Sequence, residues 1–515
     1  MTLRRTQSLC PVCLRRIEAV YAQSATDART VVLRKTCPDH GTFSVPVWRE
    51  SGEGALATPP FAAWARPKSP SYPANPRTPI SLGCPYDCGL CPAHAQHTCT
   101  GLFEVTKRCD MACPVCYAQA GSLSDPLRGE ADDIPLAVIA GQMDTLKGAS
   151  GPCNVQISGG EPTVRDDLPQ IIAMARQRGF GLVQINTNGL RLARQQGYAR
   201  SLRDAGLDSV YLQWDGVRES SFLALRGREC LDFKRRAVRN CADAGLGVVL
   251  VATVVRGVND GELGDLLRQA LELGPAVRGL HMQPAAFFGR YPWQLEEAPR
   301  LTLPDVMAAL ACQAPEMVSP AHLHPPGCEN ELCSFSAVYR RVCRNGQQGL
   351  EWLPDAGQSC CSPALQTGPQ AGSQTSSQAG SHAVSQAASP AAPQPGHQAG
   401  GTTLPPPAEE GARKAKQFVA MHWKGGNPAA GEASMAPNSS ADGFSRFLAQ
   451  AGAEQRFTLS AMAFQDALSL DLDRVRGCCI HVVRPDGRMI PFCLHNLTAS
   501  NGTRLYSEHP YGEQS

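Results

Sequence analysis

The segment KRCDMACPVCYAQAG, residues 107–121, carries three cysteines separated by three and then by two residues. These are Cys109, Cys113 and Cys116. The segment GCPYDCGLC, residues 83–91, shows the same spacing a second time. Its cysteines are Cys84, Cys88 and Cys91. In a reducing compartment, clustered cysteines are typical of metal ligands rather than of disulfides. The sequence therefore predicts two metal-binding cysteine clusters.

The two motifs differ in the number of ligands that they can supply. A [4Fe–4S] cluster contains four irons, and a closed, electron-transferring cluster takes a protein ligand on each of them. The first motif can supply four, because Cys99 follows Cys91 after seven residues, whereas the second is followed by no cysteine before Cys153. Three ligands leave one iron open, as a catalytic metal site keeps one position open. We therefore expect a closed auxiliary cluster at residues 84–99 and a reactive cluster at residues 109–116.

The composition bears on location and partners. The chain has 515 residues and 22 cysteines, and its 48 Lys and Arg balance 46 Asp and Glu to a net charge of +2. This balance gives no electrostatic reason to expect nucleic acid as a partner. The first residues lack the apolar core of a signal peptide, and no apolar run reaches the ~20 residues that span a bilayer. We expect a cytoplasmic protein without a membrane span, although peripheral contact with a membrane remains open.

From residue 100 onward, strand-like and helix-like segments alternate. The six predicted strands are GLFEVT at 101–106, CNVQIS at 153–158, GLVQINT at 181–187, SVYLQW at 209–214, GVVLVATVV at 247–255 and GLHMQPA at 279–285. Between them lie stretches with apolar residues at helical spacing, such as residues 166–179 and 260–274. This alternation predicts an α/β fold with a parallel sheet and right-handed crossovers. The pattern alone leaves a doubly wound sheet and a barrel both open.

Residues 107–121, with Tyr117 directly after the third cysteine, resemble the signature of radical S-adenosylmethionine (radical SAM) enzymes. CPVC and CPDHG near the N-terminus, GCPYDCGLC, and GCCIHVVRPDGRMIPFC at residues 477–493 extend the resemblance to the tetraether lipid synthase family, some members of which are named as pterin dimethyltransferases. The resemblance covers most of the chain. It implies a partial (β/α)6 barrel with a small N-terminal metal-binding module and a C-terminal iron–sulfur cluster region.

The segment SGGEP after the second predicted strand resembles the superfamily motif that holds the amino group of SAM. The resemblance carries this role to Gly159, Gly160 and Glu161. Adjacent glycines allow close approach of the backbone to a ligand, and a carboxylate pairs with an ammonium group. Polar residues after later strands include Asn188 and Asp215, which we expect to contact the SAM ribose or the substrate, with helix capping as the alternative.

The resemblance also suggests roles for the remaining cysteines. A second auxiliary cluster would take ligands from distant segments: Cys328, Cys333, Cys479 (or its neighbour Cys478) and Cys493. Cys10, Cys13 and Cys37 would bind a mononuclear metal. The family favours iron at that site, whereas the ligand types equally allow zinc with His40 as a fourth ligand.

These inferences divide the chain into segments. They are a metal module of rubredoxin or zinc-ribbon type at 1–52, a Pro-rich connector at 53–80, an auxiliary cluster segment at 81–99, the radical SAM core at 100–290, a C-terminal cluster region at 291–354 and 416–515, and a disordered low-complexity insert at 355–415. The connector is too rich in proline for regular structure, and the insert, built from Gln, Ala, Gly, Ser and Pro, cannot form a core.

The resemblance implies that SAM on the open iron is cleaved to a 5′-deoxyadenosyl radical, with electrons from a low-potential donor of flavodoxin or ferredoxin type. The radical would abstract hydrogen from an unactivated carbon of a small-molecule or lipid substrate. We expect C–C bond formation as in tetraether lipid tail coupling, with methylation of a pterin-like ring as the alternative. Apolar residues in 281–293 could line a lipid tunnel or pack in the core. A non-catalytic electron-transfer protein is disfavoured by SGGEP and the three-ligand cluster.

Overall fold

The computed structural model describes residues 1–65, 68–121, 132–151, 153–354, 408–425 and 456–506. The chain begins with a four-stranded antiparallel sheet in the order β1-β2-β3-β4. Its strands are β1 (Thr2–Leu9), β2 (Arg16–Gln23), β3 (Thr30–Cys37) and β4 (Gly41–Arg49). The CPVC segment forms the turn between β1 and β2, and the CPDHG segment forms the turn between β3 and β4. Both turns therefore lie at one end of this small sheet.

The predicted connector contains more structure than its prolines suggest. Phe61–Trp64 forms a short helix, α1, which begins directly after Pro60. Proline is tolerated at the start of a helix, because the backbone N–H groups there have no carbonyl acceptor within the helix. The Phe61 ring lies 5.5 Å from that of Tyr21, and the Trp64 ring lies 5.6 Å from that of Trp48. These aromatic contacts fix the connector to the N-terminal sheet.

The core contains six adjacent parallel strands, and all six predicted strands are confirmed within one or two residues at each end. They are β5 (Thr100–Thr106), β6 (Asn154–Gly159), β7 (Leu182–Thr187), β8 (Ser209–Gln213), β9 (Gly247–Val254) and β10 (Val277–Pro284). The connecting helices are α2 (Leu136–Ser150), α3 (Leu168–Gln177), α4 (Leu190–Arg194), α5 (Tyr198–Asp204), α6 (Glu219–Arg226), α7 (Leu231–Asp243) and α8 (Leu263–Glu272). Helices cover the strands because parallel strands buried on both faces need such cover, and together they form the expected partial (β/α)6 barrel.

C-terminal strands extend this sheet on both sides to eleven strands, an extension that the sequence did not reveal. They are β11 (Ser334–Arg344), β12 (Gln347–Trp352), β13 (Arg456–Met462), β14 (Ile480–Val483) and β15 (Met489–Pro491). Beside β10, β13 runs parallel to it, whereas β14 pairs in parallel with β5 at the opposite side. A tight turn at Asp486-Gly487 joins β14 to β15 as an antiparallel pair. The remaining helices are α9 (Leu303–Gln313), α10 (Ala408–His422), α11 (Leu472–Arg476) and α12 (Phe492–His495).

Helix α10 begins within the predicted insert 355–415, so the structure corrects the boundary of that insert. Most of the predicted insert, residues 355–407, lies outside the described residues. Ala408 and Ala412 are four residues apart and almost fully buried, which gives the helix an apolar contact face. After α10 the chain crosses the amino-terminal end of β9. A Cβ on Gly247 would lie only 2.4 Å from the carbonyl oxygen of Trp423, so this close approach requires glycine. Helix α10 and Trp423 thus close one end of the barrel.

Candidate active site

A cavity of about 390 Å³ lies inside the partial barrel. Its wall comes from β6 to β10, from β11 and β13, and from residues 109–118, which form the loop after β5. The carboxyl ends of parallel strands meet at one face, which is where barrel enzymes place their active sites. The three cysteines predicted to hold the reactive cluster line this cavity. The structure therefore brings the cysteine loop and the strand ends into one site.

The cysteine loop is partly buried, and its conformation is fixed from outside. Burial raises the pKa of the Cys109 and Cys113 thiols, so a bound cation is needed to keep them as thiolates. Cys116 exchanges two backbone hydrogen bonds of 2.8 Å with Arg290. A Cβ on Gly289 would lie 2.4 Å from the Cys116 carbonyl oxygen, so the close approach requires glycine there. These groups fit a cluster bound by three thiolates.

Gly159 and Gly160 have a different neighbour from the one predicted. A Cβ on Gly159 would lie 2.3 Å from the carbonyl oxygen of Thr106, and one on Gly160 would lie 2.2 Å from that of Arg108. Gly159 also has a φ of +125°, which favours glycine. The two glycines therefore allow close approach of the backbone that enters the cysteine loop, whereas we expected them to make room for a ligand.

Glu161 is a buried carboxylate at the end of β6 that joins two strand ends. Its Oε1 accepts hydrogen bonds from the backbone N–H and the hydroxyl of Thr163 (3.0 and 2.6 Å) and from the hydroxyl of Thr187 (2.7 Å). Its Oε2 accepts one, from the backbone N–H of Asn188 at 2.7 Å. Burial raises the pKa of this carboxyl group. Glu161 lines the cavity, and Oε2 has a second lone pair to offer, so the residue still fits an ammonium contact.

Asn188 lines the cavity and also caps a helix. Helix capping was the alternative that the sequence left open for this residue. Its Oδ1 accepts a hydrogen bond from the backbone N–H of Leu190 in α4 at 2.8 Å. Its Nδ2 donates to Oδ1 of Asp110 at 2.7 Å. Since Asp110 lies in the cysteine loop, Asn188 ties the end of β7 to that loop.

Asp215 does not offer a free carboxylate. Both of its oxygens accept hydrogen bonds of 2.7 Å from the guanidinium group of Arg226, and both side chains are nearly inaccessible to solvent. Arg226 also donates to the carbonyl oxygen of Val115 in the cysteine loop at 2.9 Å. Burial alone would lower the pKa of Arg226, but the Asp215 carboxylate more than offsets this and raises it. Arg226 therefore supports the cysteine loop and places its positive charge beside Cys113. Asp215 holds the guanidinium group in that position.

The predicted closed cluster at residues 84–99 requires correction. Cys99 lies with Cys328 and Cys479, and their sulfur atoms are all within 4.8 Å of one another. The Sγ atoms of Cys328 and Cys479 are 3.5 Å apart. The reason is the parallel pairing of β14 with β5, which sets the residues before each strand side by side. This group of three, called here the strand-edge group, lines the same cavity as the cysteine loop.

The second predicted set was Cys328, Cys333, Cys479 (or Cys478) and Cys493. Cys328 and Cys479 lie together in the strand-edge group, whereas Cys333 and Cys493 are not part of that group. Burial and then the nearby thiols of Cys493 and Cys333 raise the pKa of Cys478. Burial and then the thiols of Cys84, Cys91 and Cys478 raise the pKa of Cys88. The vicinal cysteines thus have different neighbours, because successive side chains of an extended segment point in opposite directions.

The N-terminal module forms a four-ligand site. Cys10, Cys13, Cys37 and His40 have their ligand atoms within 4.8 Å of one another. Nδ1 of His40 lies 3.7 Å from Sγ of Cys10 and 3.5 Å from Sγ of Cys37. The hydrogen bond with His40 lowers the pKa of Cys37 to about 6. Three thiols and one imidazole at these separations fit a tetrahedral zinc site.

Several polar residues of the site were missed from sequence. Arg226 and Lys234 lie in helices, where their charges resemble those of any solvated helix face. Yet Lys234 is fully buried beneath the strand ends. Polar side chains also line the barrel, among them Gln156, Gln184 and Asn186. The signal that could have revealed them is the regular occurrence of amides inside otherwise apolar strands.

Comparison with known proteins defines the class of this site. A family profile described as Radical SAM superfamily matches residues 103–270, and one described as HMPTM N-terminal zinc ribbon domain matches residues 2–49. Together with the partial barrel and its cysteine loop, these matches define a radical SAM enzyme. When bound, a reduced [4Fe–4S] cluster supplies the electron that cleaves SAM to a 5′-deoxyadenosyl radical.

The particular family follows from a relative of similar length. The chain is 31% identical over 511 residues to the 7,8-dihydro-6-hydroxymethylpterin dimethyltransferase of Methanocaldococcus jannaschii, which covers 96% of this chain and 93% of that protein. The chain therefore belongs to the family of that enzyme, within the radical SAM superfamily.

Other matches are confined to part of the chain. A probable GTP 3′,8-cyclase of Methanothermobacter thermautotrophicus is 27% identical over 186 residues, or 36% of this chain and 58% of that protein. The crystal structure of methylornithine synthase aligns with a TM-score of 0.31 and 14% identity, covering 43% of this chain and 64% of that chain. Within the described residues, no helix is long and apolar enough to cross a membrane.

Proposed function

We propose that this chain is a radical SAM methyltransferase that acts on a carbon of a pterin-like ring. The observation that carries the proposal is the polar lining of the barrel, where amide side chains from neighbouring strands face one cavity. Gln156 donates to Gln184 at 2.8 Å, and Gln184 donates to the hydroxyl of Ser209 at 3.0 Å. A heteroaromatic ring with several hydrogen-bonding atoms matches such a lining better than a hydrocarbon does.

Aromatic side chains at the closed end of the barrel support the same substrate class. The Tyr211 ring lies 5.5 Å from that of His281 and 5.9 Å from that of Trp423. Burial lowers the pKa of His281 to about 3, so its imidazole is neutral, and its Nδ1 lies 2.8 Å from the hydroxyl of Ser460. Flat π-systems beside hydrogen-bonding groups suit a flat polar ring.

The cysteine groups receive roles in this proposal. Cys109, Cys113 and Cys116 hold the cluster that binds SAM, and Glu161 contacts the SAM ammonium group through Oε2. Gly159, Gly160, Asn188 and Asp215 position the cysteine loop. The strand-edge group binds one auxiliary cluster, and Cys84, Cys88, Cys91 and Cys478 bind a second. A low-potential flavodoxin or ferredoxin supplies electrons.

A second candidate, coupling of lipid tails, is favoured by one apolar wall of the cavity. Leu102, Phe288 and Phe492 form a buried cluster, with Tyr117 and Phe464 packed against it. The Phe464 and Phe492 rings are 4.7 Å apart. A methylene chain could lie against this wall, where each buried CH₂ contributes about 0.8 kcal/mol.

The test is turnover by anaerobically reconstituted protein with SAM carrying a deuterated methyl group. The proposal predicts that one SAM yields 5′-deoxyadenosine and methionine, while a second SAM donates its methyl group and leaves as S-adenosylhomocysteine, with two electrons taken from the reductant. Mass spectrometry should then find deuterium on 7,8-dihydro-6-hydroxymethylpterin. If 5′-deoxyadenosine forms only with a membrane lipid, and products of doubled carbon skeleton appear, the lipid candidate replaces the pterin proposal.

A further inference from the structure

We propose that Gln213 and Asn186 recognise the substrate through their amide groups, that Gln213 does so with a donor of fixed identity, and that Lys234 is the positioning residue that sets the Gln213 amide. The inference rests on the proposed function, because it assumes that the substrate ring occupies the barrel. It adds the polar chemistry of the ring: one atom that accepts from Gln213 and one that donates to Asn186.

Lys234 lies in α7, is fully buried, and makes three polar contacts at the ends of two neighbouring strands. Its Nζ donates to the backbone carbonyl of Asn188 at 3.0 Å, to the backbone carbonyl of Gln213 at 2.5 Å, and to Oε1 of Gln213 at 2.9 Å. The Phe233 ring is centred 5.3 Å from Nζ and the Phe222 ring 5.8 Å. All three ammonium hydrogens therefore have protein acceptors.

The identity of the Gln213 atoms follows from this contact. A lysine ammonium group has three donors and no acceptor, so the amide atom that it contacts must be the oxygen. The nitrogen of the same amide then points the other way. Gln213 lines the cavity, and its Nε2 is buried without a hydrogen-bond partner among the described residues.

Asn186 supplies the complementary atom from the neighbouring strand. Its Nδ2 donates to the hydroxyl of Ser158 at 3.4 Å, and that hydroxyl lies 2.9 Å from the hydroxyl of Tyr117. Its Oδ1 is buried and, in the part of the chain that the structure describes, accepts no hydrogen bond. Asn186 pairs in register with Tyr211, two residues before Gln213, so both amides face the cavity in successive layers.

An unpaired donor and an unpaired acceptor in one cavity define a class of ligand. Buried polar atoms are costly when unpaired, so the bound molecule should satisfy both. A flat polar ring with a hydrogen-bond acceptor at one position and an N–H donor at another provides an acceptor for Gln213 and a donor for Asn186. A saturated hydrocarbon provides neither and would leave both atoms unpaired.

The test is equilibrium binding of 7,8-dihydro-6-hydroxymethylpterin to the reconstituted full chain, measured by calorimetry. Gln213→Leu removes the donor and is expected to weaken binding about ten-fold, the loss typical of one buried hydrogen bond. Gln213→Glu keeps a partner for Lys234 but replaces the donor by an acceptor, so it should weaken binding at least as much. Gln195→Leu, at a surface site outside the cavity, is the matched control.

Lys234→Met tests the positioning role, since it leaves the Gln213 amide free to rotate. It should weaken binding by itself, yet the double variant Lys234→Met with Gln213→Leu should bind no more weakly than Gln213→Leu alone. Such non-additivity indicates that the lysine acts through the glutamine. A general packing defect would instead add to the loss.

The outcomes separate this inference from the proposed function. If the unchanged protein binds the pterin and both Gln213 variants bind within about two-fold of it, recognition by Gln213 is wrong although the proposed function stands. Additive losses in the double variant would remove the positioning role of Lys234. If the unchanged protein fails to bind the pterin, the proposed function and the inference both fall.

Discussion

The backbone N–H of Cys99 donates a hydrogen bond to the carbonyl oxygen of Cys479 at 2.8 Å. Cys99 precedes β5, the first strand of the barrel, and Cys479 precedes β14, which the chain adds after the barrel is complete. The parallel pairing of these strands therefore places the strand-edge group beside the cavity. The cysteine loop and this second cysteine group consequently share one chamber.

The cysteine loop should be essential for SAM cleavage. Replacing Cys109, Cys113 or Cys116 by alanine removes one of three thiolates, and the others cannot hold the open-iron cluster. We expect 5′-deoxyadenosine to fall to background, as measured by chromatography after reduction. Cys241→Ala, at a buried cysteine on α7 that lies outside the cavity, is the control and should retain cleavage. A loop variant with normal cleavage would refute the assignment.

The vicinal cysteines should belong to different clusters. Cys479→Ala should give the same loss of iron and the same spectral change as Cys99→Ala, because both remove a ligand from the strand-edge group. Cys478→Ala should instead match Cys88→Ala. Iron analysis and Mössbauer spectroscopy of the four variants check this. Identical spectra for Cys478→Ala and Cys479→Ala would contradict the grouping.

The buried ion pair of Asp215 with Arg226 should contribute strongly to stability. Asp215→Asn keeps the shape of the side chain but leaves the Arg226 charge without its partner. Breaking a buried pair in this way typically lowers the free energy of unfolding by about 3–5 kcal/mol. Asp232→Asn, at the exposed pair with Arg236, is the matched control and should cost less than about 1 kcal/mol. Denaturant unfolding of both variants measures the difference, and equal losses would contradict the account.

Substrate affinity should fall as the pH rises through about 8. Burial lowers the pKa of Lys234 to about 8. Below that pH the ammonium group has three donors for three oxygens, whereas the neutral amine above it has only two. One contact is then lost and the Gln213 amide is released. Pterin affinity measured from pH 7 to 9 should show this decline. In the Lys234→Met variant the affinity should not depend on pH over this range. An unchanged decline in that variant would exclude Lys234 as the source of the pH dependence.

The N-terminal site should prefer zinc because one of its four ligands is an imidazole. We expect one zinc per chain by elemental analysis after expression with zinc. His40→Ala should lower that content, whereas His40→Cys should retain a metal and shift the preference toward iron. Unchanged zinc content in His40→Ala would show that His40 is not a ligand.

Local patterns predicted the alternating α/β core with a parallel sheet, since strand composition and helical periodicity are contained in short segments. The barrel itself was implied by the resemblance that the cysteine loop carries. The sequence could not predict which cysteines share a cluster, because Cys99, Cys328 and Cys479 meet only through the pairing of β14 with β5. It also could not separate ligand contacts from supporting contacts. Asp215 reads as a free carboxylate at a strand end, until the fold brings Arg226 against it.

The most direct test of the account is a single turnover of the reconstituted, reduced protein with methyl-deuterated SAM and 7,8-dihydro-6-hydroxymethylpterin, followed by mass spectrometry of the pterin. The account predicts 5′-deoxyadenosine from one SAM, S-adenosylhomocysteine from a second, and a pterin that carries a deuterated methyl group on carbon. Formation of 5′-deoxyadenosine with an unmodified pterin would contradict the proposed substrate and leave the radical SAM chemistry in place.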